Sequence, residues 1–203
     1  MKNLITAFPL YNFLKYCNQY EGEKRILDCG AGGANPPLSL FYEFGYETYG
    51  IEISQYQIDK AKSFCSKNSI DLNINYGDMK NIPFKNEYFN FIYSYNTSVH
   101  MPKEDFLIAM SEFCRVLRPS GLCYVNFLSK ECDTYGIGKE LGNGEYMQVE
   151  DNEEVIFSHY NEDEIEKNFS GFEILYKEKR NISRRSGNEI NTSSYYDYIL
   201  QKR

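Results

Sequence analysis

The chain has 203 residues and a formal net charge of −7, with 42% hydrophobic and 25% charged residues. This length fits one domain with a full hydrophobic core, and the acidic balance argues against nucleic acid as the main partner. No apolar run approaches the roughly 20 residues that span a bilayer, so we expect a cytoplasmic protein with no membrane partner.

Segments typical of strands and of helices alternate along the first 130 residues. Residues 1–22 predict an amphipathic helix that covers the domain rather than a signal peptide, because Asn12 and Lys15 interrupt the apolar residues. Strands are predicted at residues 25–30, 47–53, 71–78, 88–96 and 121–129. Helices are predicted to start at Asn35 as N-cap with Pro36 at the first position, at Ser54, and at Pro102. This alternation predicts a mainly parallel sheet with helices on both faces.

The alternation stops at residues 131–160, a polar and acidic segment with four spaced glycines. The segment follows strand five, whose end lies at the ligand-binding edge of such a sheet, and Tyr135 and Tyr146 are available to exclude water. We therefore predict a lid over an acceptor site. The alternative is a surface excursion that does not contact substrate.

The C-terminal part of the chain predicts a strand at residues 153–160, a short helix at 161–169 and two further strands at 172–183 and 193–203. The connection between the last two strands is too short for a helical crossover, so they are expected to form an antiparallel hairpin. A basic cluster on this hairpin is predicted to be solvated. It consists of Lys177, Lys179, Arg180, Arg184 and Arg185.

A glycine-rich loop, Gly30-Ala31-Gly32-Gly33-Ala34-Asn35, follows the first predicted strand. It nearly matches the G-x-G-x-x-G dinucleotide fingerprint, with asparagine in the last place. The loop leaves the carboxyl end of a strand and enters a helix, which is where open sheets bind ligands. The alternative is a tight turn that uses glycine for backbone freedom.

Two acidic residues follow the loop at the ends of the next two strands. Glu52 ends strand two, where a carboxylate can accept hydrogen bonds from both hydroxyls of a ribose. Asp78 ends strand three, where a carboxylate can accept from the amino group of an adenine while the following amide donates to the ring. Taken singly, Glu52 could be an exposed strand-end charge and Asp78 a turn residue before Pro83.

Five segments in the right order resemble the successive motifs of class I S-adenosylmethionine-dependent methyltransferases, in particular the small-molecule type. They are ILDCGAGG, YGIEIS, YGDMKNIPF, FNFIYSYNTSVHM and RVLRPSGLCYVNFLS, within residues 23–130. The resemblance implies an α/β Rossmann-like fold with a seven-stranded sheet of order 3-2-1-4-5-7-6, in which strand seven is antiparallel. It also implies S-adenosylmethionine as cofactor and S-adenosylhomocysteine as product.

The resemblance also implies roles for individual residues. Asp28 and the backbone of the glycine loop would hold the amino-acid end of the cofactor, Glu52 the ribose, and Asp78 the adenine edge. Gln57, at capping-box spacing after Ser54, is included among the candidates. The candidate cofactor residues are Asp28, Gly30, Ala31, Gly32, Glu52, Ile53, Gln57, Asp78, Met79 and Tyr95.

Catalytic candidates follow the fourth predicted strand. Tyr95 and Asn96 lie where the resemblance places the methyl group, and His100 on the same loop is a candidate base or acceptor-orienting group. His159 is the second histidine candidate. For each histidine, a structural role is an equally good alternative. With two histidines and no C-x-x-C pair among six cysteines, no metal site is predicted.

The sequence therefore predicts a single domain over residues 1–203 that transfers a methyl group from S-adenosylmethionine to a small-molecule acceptor. A non-catalytic protein that binds the same cofactor is one alternative, and an NAD-linked oxidoreductase is another, because the loop and Glu52 suit either cofactor. A protein or RNA methyltransferase is disfavoured by the acidic balance. The acceptor and the oligomeric state are not predicted.

Overall fold

A computed structural model of the protein describes residues 7–150, 153–187 and 189–203. The helices are α1 (Phe8–Cys17), α2 (Leu38–Glu43), α3 (Gln55–Asn68), α4 (Lys103–Val116) and α5 (Glu162–Glu166), with a 3₁₀ turn at Ser98–His100. The strands are β1 (Arg25–Cys29), β2 (Glu47–Glu52), β3 (Ile74–Tyr76), β4 (Phe89–Ser94), β5 (Leu117–Ser129), β6 (Lys139–Gly142), β7 (Glu145–Glu150), β8 (Glu153–Tyr160), β9 (Phe172–Ser186) and β10 (Glu189–Lys202).

Seven of these strands form the sheet that the sequence predicts. Their order is β3-β2-β1-β4-β5-β10-β9, and the pairs from β3 to β5 are parallel. β10 is antiparallel to both β5 and β9, so it is the seventh strand of the predicted order and β9 is the sixth. The order 3-2-1-4-5-7-6 and the final antiparallel hairpin are confirmed.

The other three strands belong to the segment predicted as a lid. β6, β7 and β8 pair antiparallel to one another, and β8 continues alongside the end of β5 through the parallel pair Leu128 and His159. The sequence predicted only β8 of these three. The segment is therefore an ordered extension of the central sheet at the end of β5.

Two hydrophobic cores lie on opposite faces of the sheet, because successive side chains of a strand point to opposite sides. One face packs against α1, α2 and α3, where Phe13 lies 6.0 Å from Phe41 and 5.8 Å from Tyr124 between ring centres. The other face packs against α4 and α5 and includes Phe106 and Phe127, whose rings are 5.0 Å apart. The predicted helices on both faces are confirmed.

Two predicted boundaries are wrong. Asn35 is not an N-cap and Pro36 is not the first helical residue, since α2 begins at Leu38 after Pro37. The carbonyl of Pro36 instead accepts the Ser39 amide at 3.1 Å, so the paired prolines form a turn before the helix. Strand five also begins before residue 121, because α4 runs directly into β5 at Leu117 and Ser120, at φ 62°, lies in a bulge inside the strand.

Candidate functional site

The glycine loop after β1 donates its amides within the protein. The Gly30 and Ala31 amides donate to the Ile51 carbonyl at 2.9 and 3.0 Å, and the Gly33 amide donates to the Gln57 carbonyl at 3.0 Å. The Gly32 amide donates to the Glu52 carboxylate at 3.1 Å. With its first four amides, from Gly30 to Gly33, already used, this part of the loop does not offer the anion cradle that a dinucleotide pyrophosphate needs.

Glu52 links the glycine loop to the start of α3. Besides the Gly32 amide, its carboxylate accepts the Ser54 amide at 2.9 Å, while the Ser54 hydroxyl caps α3 by accepting the Gln57 amide at 3.4 Å. A Cβ atom at Gly32 would lie 2.8 Å from the carboxylate, so only glycine permits this approach. Each carboxylate oxygen has a second lone pair, which leaves Glu52 able to accept from a ligand hydroxyl.

Asp28 lines neither of the two cavities described below. It is buried, with 2% of its surface exposed, and accepts the Tyr93 hydroxyl at 2.6 Å. Burial raises the pKa of Asp28 to about 8, and the Glu52 charge adds to the shift while the Tyr93 hydrogen bond opposes it. Its assignment to the cofactor stays a prediction.

A cavity of about 360 Å³ opens at the ends of β1, β2 and β3, and we refer to it as the cofactor-side cavity. It brings together five of the candidate cofactor residues, namely Gly30, Glu52, Ile53, Asp78 and Met79. Ile53 is 59% exposed, so an apolar side chain faces solvent beside a carboxylate. A flat apolar ring would cover Ile53, and a ribose attached to it would bind Glu52. These residues therefore fit the adenosine of S-adenosylmethionine.

The remaining candidate cofactor residues lie elsewhere. Ala31 is buried in the core, and Gln57 contributes its carbonyl to the loop. Tyr95 lines a different cavity, because it shares the face of Tyr93 on the α1 side of the sheet.

Several residues of the cofactor-side cavity were not predicted from the sequence. Lys80 reaches across to Asp105 on α4, with 2.7 Å between the ammonium nitrogen and the carboxylate oxygen. Thr97 faces the glycine loop so closely that a Cβ atom at Gly30 would lie 2.1 Å from its hydroxyl. Neither contact has a local sequence signal, because each joins residues that are far apart in the chain.

A second cavity of about 870 Å³, here called the acceptor-side cavity, lies between the start of α1 and β9. Tyr95 and Asn96 line it, whereas the next residue, Thr97, lines the cofactor-side cavity. Successive residues of one loop thus separate the two cavities. The other residues lining the acceptor-side cavity are Ala7, Phe8, Pro9, Asn35, Pro37, Arg180, Asn181, Ile182 and Arg184.

Asn96 is held by a buried residue of β5. Its backbone is left-handed, with φ 56°, and its amide donates to the Asn126 side-chain oxygen at 2.8 Å. The Asn126 side-chain nitrogen donates in return to the Asn96 side chain at 2.6 Å, and the Ser98 hydroxyl donates to the Asn126 carbonyl at 2.6 Å. This pairing fixes the loop that separates the two cavities.

The predicted catalytic histidines occupy different places. His100 is exposed, lines the cofactor-side cavity, and stacks edge-on against Phe157 of β8 at 4.8 Å. Partial loss of water around its ring lowers the pKa of His100. His159 is fully buried, with its Nε2 atom 2.9 Å from the Thr134 hydroxyl, and lines neither cavity. Its packing matches the structural alternative stated from the sequence.

Arg180 is not solvated, contrary to the expectation for the basic cluster. Its guanidinium donates to both oxygens of the buried Asp197, at 2.8 and 3.2 Å, and lies 4.7 Å from the centre of the Tyr195 ring. The Tyr124 hydroxyl also donates to Asp197, at 2.5 Å. Because successive side chains of β9 point to opposite faces of the sheet, Arg180 lies on the cavity side. Its position in a run of basic residues does not predict this.

Within the described part of the chain, no group of three or more histidine, cysteine, aspartate or glutamate side chains is placed to hold a metal ion. None of the helices there is long and apolar enough to cross a membrane.

Comparisons with known proteins agree with this site. Residues 27–125, just under half of the chain, match a family model described as a methyltransferase domain. A sterol 24-C-methyltransferase from Pneumocystis carinii is 33% identical over 104 residues, which cover 50% of this chain and 27% of the relative. One from Candida albicans is 27% identical over 173 residues, covering 82% of this chain and 44% of the relative. This chain thus spans less than half the length of either relative.

The fold is also found in a crystal structure of an S-adenosylmethionine-dependent methyltransferase from Methanosarcina mazei. That structure superposes with a TM-score of 0.76 at 21% identity, and the match covers 93% of this chain and 96% of the other. The fold, the site and the family match together support the class I S-adenosylmethionine-dependent methyltransferases as the family of this chain. The cofactor of this family is S-adenosylmethionine, as the sequence predicted.

Proposed function

We propose that this protein transfers the methyl group of S-adenosylmethionine to a small molecule bound in the acceptor-side cavity. The observation that carries the proposal is the loop at residues 95–97, which lines both cavities with successive side chains. A methyl group bound on one side of this loop needs to cross only its width to reach an acceptor on the other. Positioning of this kind accounts for much of the rate of an in-line displacement.

When bound, the cofactor supplies a methyl group whose carbon bonds to a lone pair of the acceptor while the carbon–sulfur bond breaks and its electron pair returns to sulfur. Glu52 and Asp78 would hold the nucleoside, and Ile53 would cover the adenine face. Asn96, held by Asn126, would orient the acceptor with its side-chain amide. This positioning requires no dedicated base unless the acceptor must lose a proton early.

His100 stays the candidate for such a base predicted from the sequence, although it lines the cofactor-side cavity and not the acceptor-side cavity. A lowered pKa keeps its imidazole neutral near pH 7 and able to accept a proton. His159 serves the fold in this proposal, since its buried ring joins Thr134 to the aromatic side chains of the β6–β8 segment.

Transfer of a labelled methyl group tests the proposed function. The protein is incubated with S-adenosylmethionine carrying a labelled methyl group and with a metabolite extract that contains only small molecules. We expect label in the small-molecule fraction and release of S-adenosylhomocysteine, both reduced for Glu52→Gln. Tight cofactor binding without transfer to any fraction would instead support the non-catalytic alternative.

The sterol methyltransferase relatives suggest one acceptor class, but the matches cover less than half of each of those relatives. A cytoplasmic location and the lack of nucleic-acid and membrane partners stay predictions from the sequence.

A further inference from the structure

The acceptor-side cavity has an uneven distribution of charge. Two of the residues that line it are cationic, Arg180 and Arg184, and none of its described lining residues is acidic. The protein as a whole has a net charge of −7, so a cationic cavity is not what its composition predicts. Charge of one sign in a concave site favours a ligand of the opposite sign.

The two arginines differ in what they already bind. Arg180 is neutralised by Asp197 through two hydrogen bonds. Arg184 is exposed, and no residue in the described part of the chain forms an ion pair or a side-chain hydrogen bond with it. Its guanidinium therefore keeps its full charge and its donors for a ligand.

The distance between Arg184 and the end of the cavity at Tyr95 indicates the length of a ligand that contacts both ends. Tyr95 lies close enough to Arg180 for the guanidinium charge to lower the pKa of its hydroxyl, although burial raises that pKa more. Arg184 follows four residues later on β9 and points to the same side, so its Cα atom lies about 13 Å further along the strand. The lining of the cavity also includes the apolar side chains of Phe8, Pro9 and Ile182.

We propose that the acceptor is an amphipathic small molecule with an oxyanion, such as a carboxylate or phosphate, at the end remote from the methylated atom. This inference rests on the proposed function and names its substrate class. Arg184 binds the oxyanion, the apolar wall covers the body of the molecule, and Asn96 faces the reacting end. A sterol has no charged group at neutral pH, so this cavity differs from one built only for a sterol.

Binding of matched probes tests the proposal without requiring turnover. The probes are 6-phenylhexanoate, its neutral amide and the phosphate monoester of 5-phenylpentanol, measured by ligand-observed NMR on protein saturated with S-adenosylhomocysteine. We expect at least one anion to bind about tenfold more tightly than the amide, as one charge-assisted hydrogen bond would provide. Anions that bind no better than the amide, or no binding by either anion, would overturn the proposal.

Variants of β9 give the matched control. Arg184→Gln should remove the preference for the anion, whereas Arg185→Gln, with the same charge change on the opposite face of the strand, should retain it. Equal losses in both variants would show a diffuse charge effect and contradict a specific site. For an acceptor found by screening, Arg184→Gln should raise KM more than it lowers kcat, because the oxyanion contact is the same in substrate and transition state.

Binding of S-adenosylhomocysteine to the same samples distinguishes a failure of the proposed function from a failure of the proposed acceptor class. Failure to bind it would contradict the proposed function itself. Normal binding together with no anion preference would contradict the acceptor class alone.

Discussion

At the scale of single residues, Asp28 is a buried acid that lines neither of the two cavities. Its carboxylate is buried and hydrogen-bonded to Tyr93. Ionisation in this place is costly, since burial removes water and Glu52 lies close enough to repel a second charge. The folded protein therefore holds a proton on Asp28 that the unfolded chain releases near pH 4.

The consequence is a pH-dependent stability. Because the folded-state pKa of Asp28 is about 8 and its ordinary value is 3.8, its contribution is most favourable below pH 4 and is lost as the pH rises towards 8. Asp28→Asn keeps an acceptor for Tyr93 and cannot ionise. We expect its free energy of unfolding, relative to the natural protein, to rise by up to about 1.4 kcal/mol per pH unit between pH 5 and 8.

Urea denaturation at pH 5, 6, 7 and 8 measures this difference. Asp59→Asn is the control, because Asp59 is exposed on α3 and should not change the pH dependence. Parallel stability profiles for Asp28→Asn and the natural protein would contradict the assigned protonation.

A second prediction for a single residue concerns the effect of Glu52→Gln on cofactor affinity. Glu52→Gln keeps one oxygen for the backbone amides of Gly32 and Ser54 but loses the charge that strengthens a hydrogen bond to a ribose. We expect the affinity for S-adenosylhomocysteine, measured by calorimetry, to fall at least about tenfold. Glu43→Gln, an exposed change at the end of α2, should leave it unchanged. Equal affinities in all three folded proteins would exclude a ribose contact.

At the scale of secondary-structure elements, one ionic cluster joins three strands. Arg180 of β9, Asp197 of β10 and Tyr124 of β5 meet beneath the acceptor-side cavity. Asp197 is 1% exposed, so it depends on these partners for its hydrogen bonds. The hairpin is therefore fixed to the central sheet at the point where it forms the cavity wall.

Removal of the arginine should destabilise the protein strongly. Arg180→Met leaves Asp197 as an unpaired buried charge, and we expect a loss of about 3–5 kcal/mol in the free energy of unfolding. Arg184→Met, on the same face and without a partner in the described structure, should change it by less than about 0.5 kcal/mol. Adding Asp197→Asn to Arg180→Met should recover part of the loss. Similar stabilities for the two single variants in urea denaturation would show that the cluster contributes little.

The β6–β8 segment is the second element with a testable role. It contacts the 3₁₀ turn beside the cofactor-side cavity, where the Ser158 hydroxyl donates to the Met101 carbonyl at 2.7 Å and Phe157 packs on His100. None of the described residues of the range 131–160 lines either cavity. The lid function stays a prediction, and these contacts favour a fixed support for the turn.

Hydrogen exchange distinguishes the two roles. We expect S-adenosylhomocysteine to slow amide exchange at residues 95–101, which lie beside the cofactor, and to leave residues 139–150 unchanged because β6 and β7 are already paired. Slower exchange at residues 139–150 once an acceptor is added would support closure of a lid.

At the scale of the whole molecule, ligand binding should raise thermal stability. S-adenosylhomocysteine at about 100 times its Kd should stabilise the folded state by about 2.7 kcal/mol. For a domain of this size that corresponds to a rise in Tm of roughly 5–11 °C. NAD should give no shift, because the glycine-loop amides are already hydrogen-bonded within the protein. A rise in Tm with NAD but not with S-adenosylhomocysteine would overturn the cofactor assignment.

The sequence by itself determined the architecture through local patterns, and the resemblance of five motifs to a known family indicated the family and the cofactor. Alternating strands and helices, a glycine loop after the first strand and acids at two strand ends are all contiguous in the chain. The parallel sheet then brings the strand ends together without further information. Five of the ten candidate cofactor residues meet in one cavity for this reason.

Only the tertiary structure decided which side chains face which cavity. Burial of Asp28, the pairing of Asn96 with Asn126 and the placement of Arg180 on a cavity wall each join residues that are distant in sequence. The same holds for β6 and β7, whose polar and glycine-rich residues resemble a loop until β8 pairs with the end of β5. Such contacts depend on strand register and on the face that each side chain takes, and local propensity encodes neither reliably.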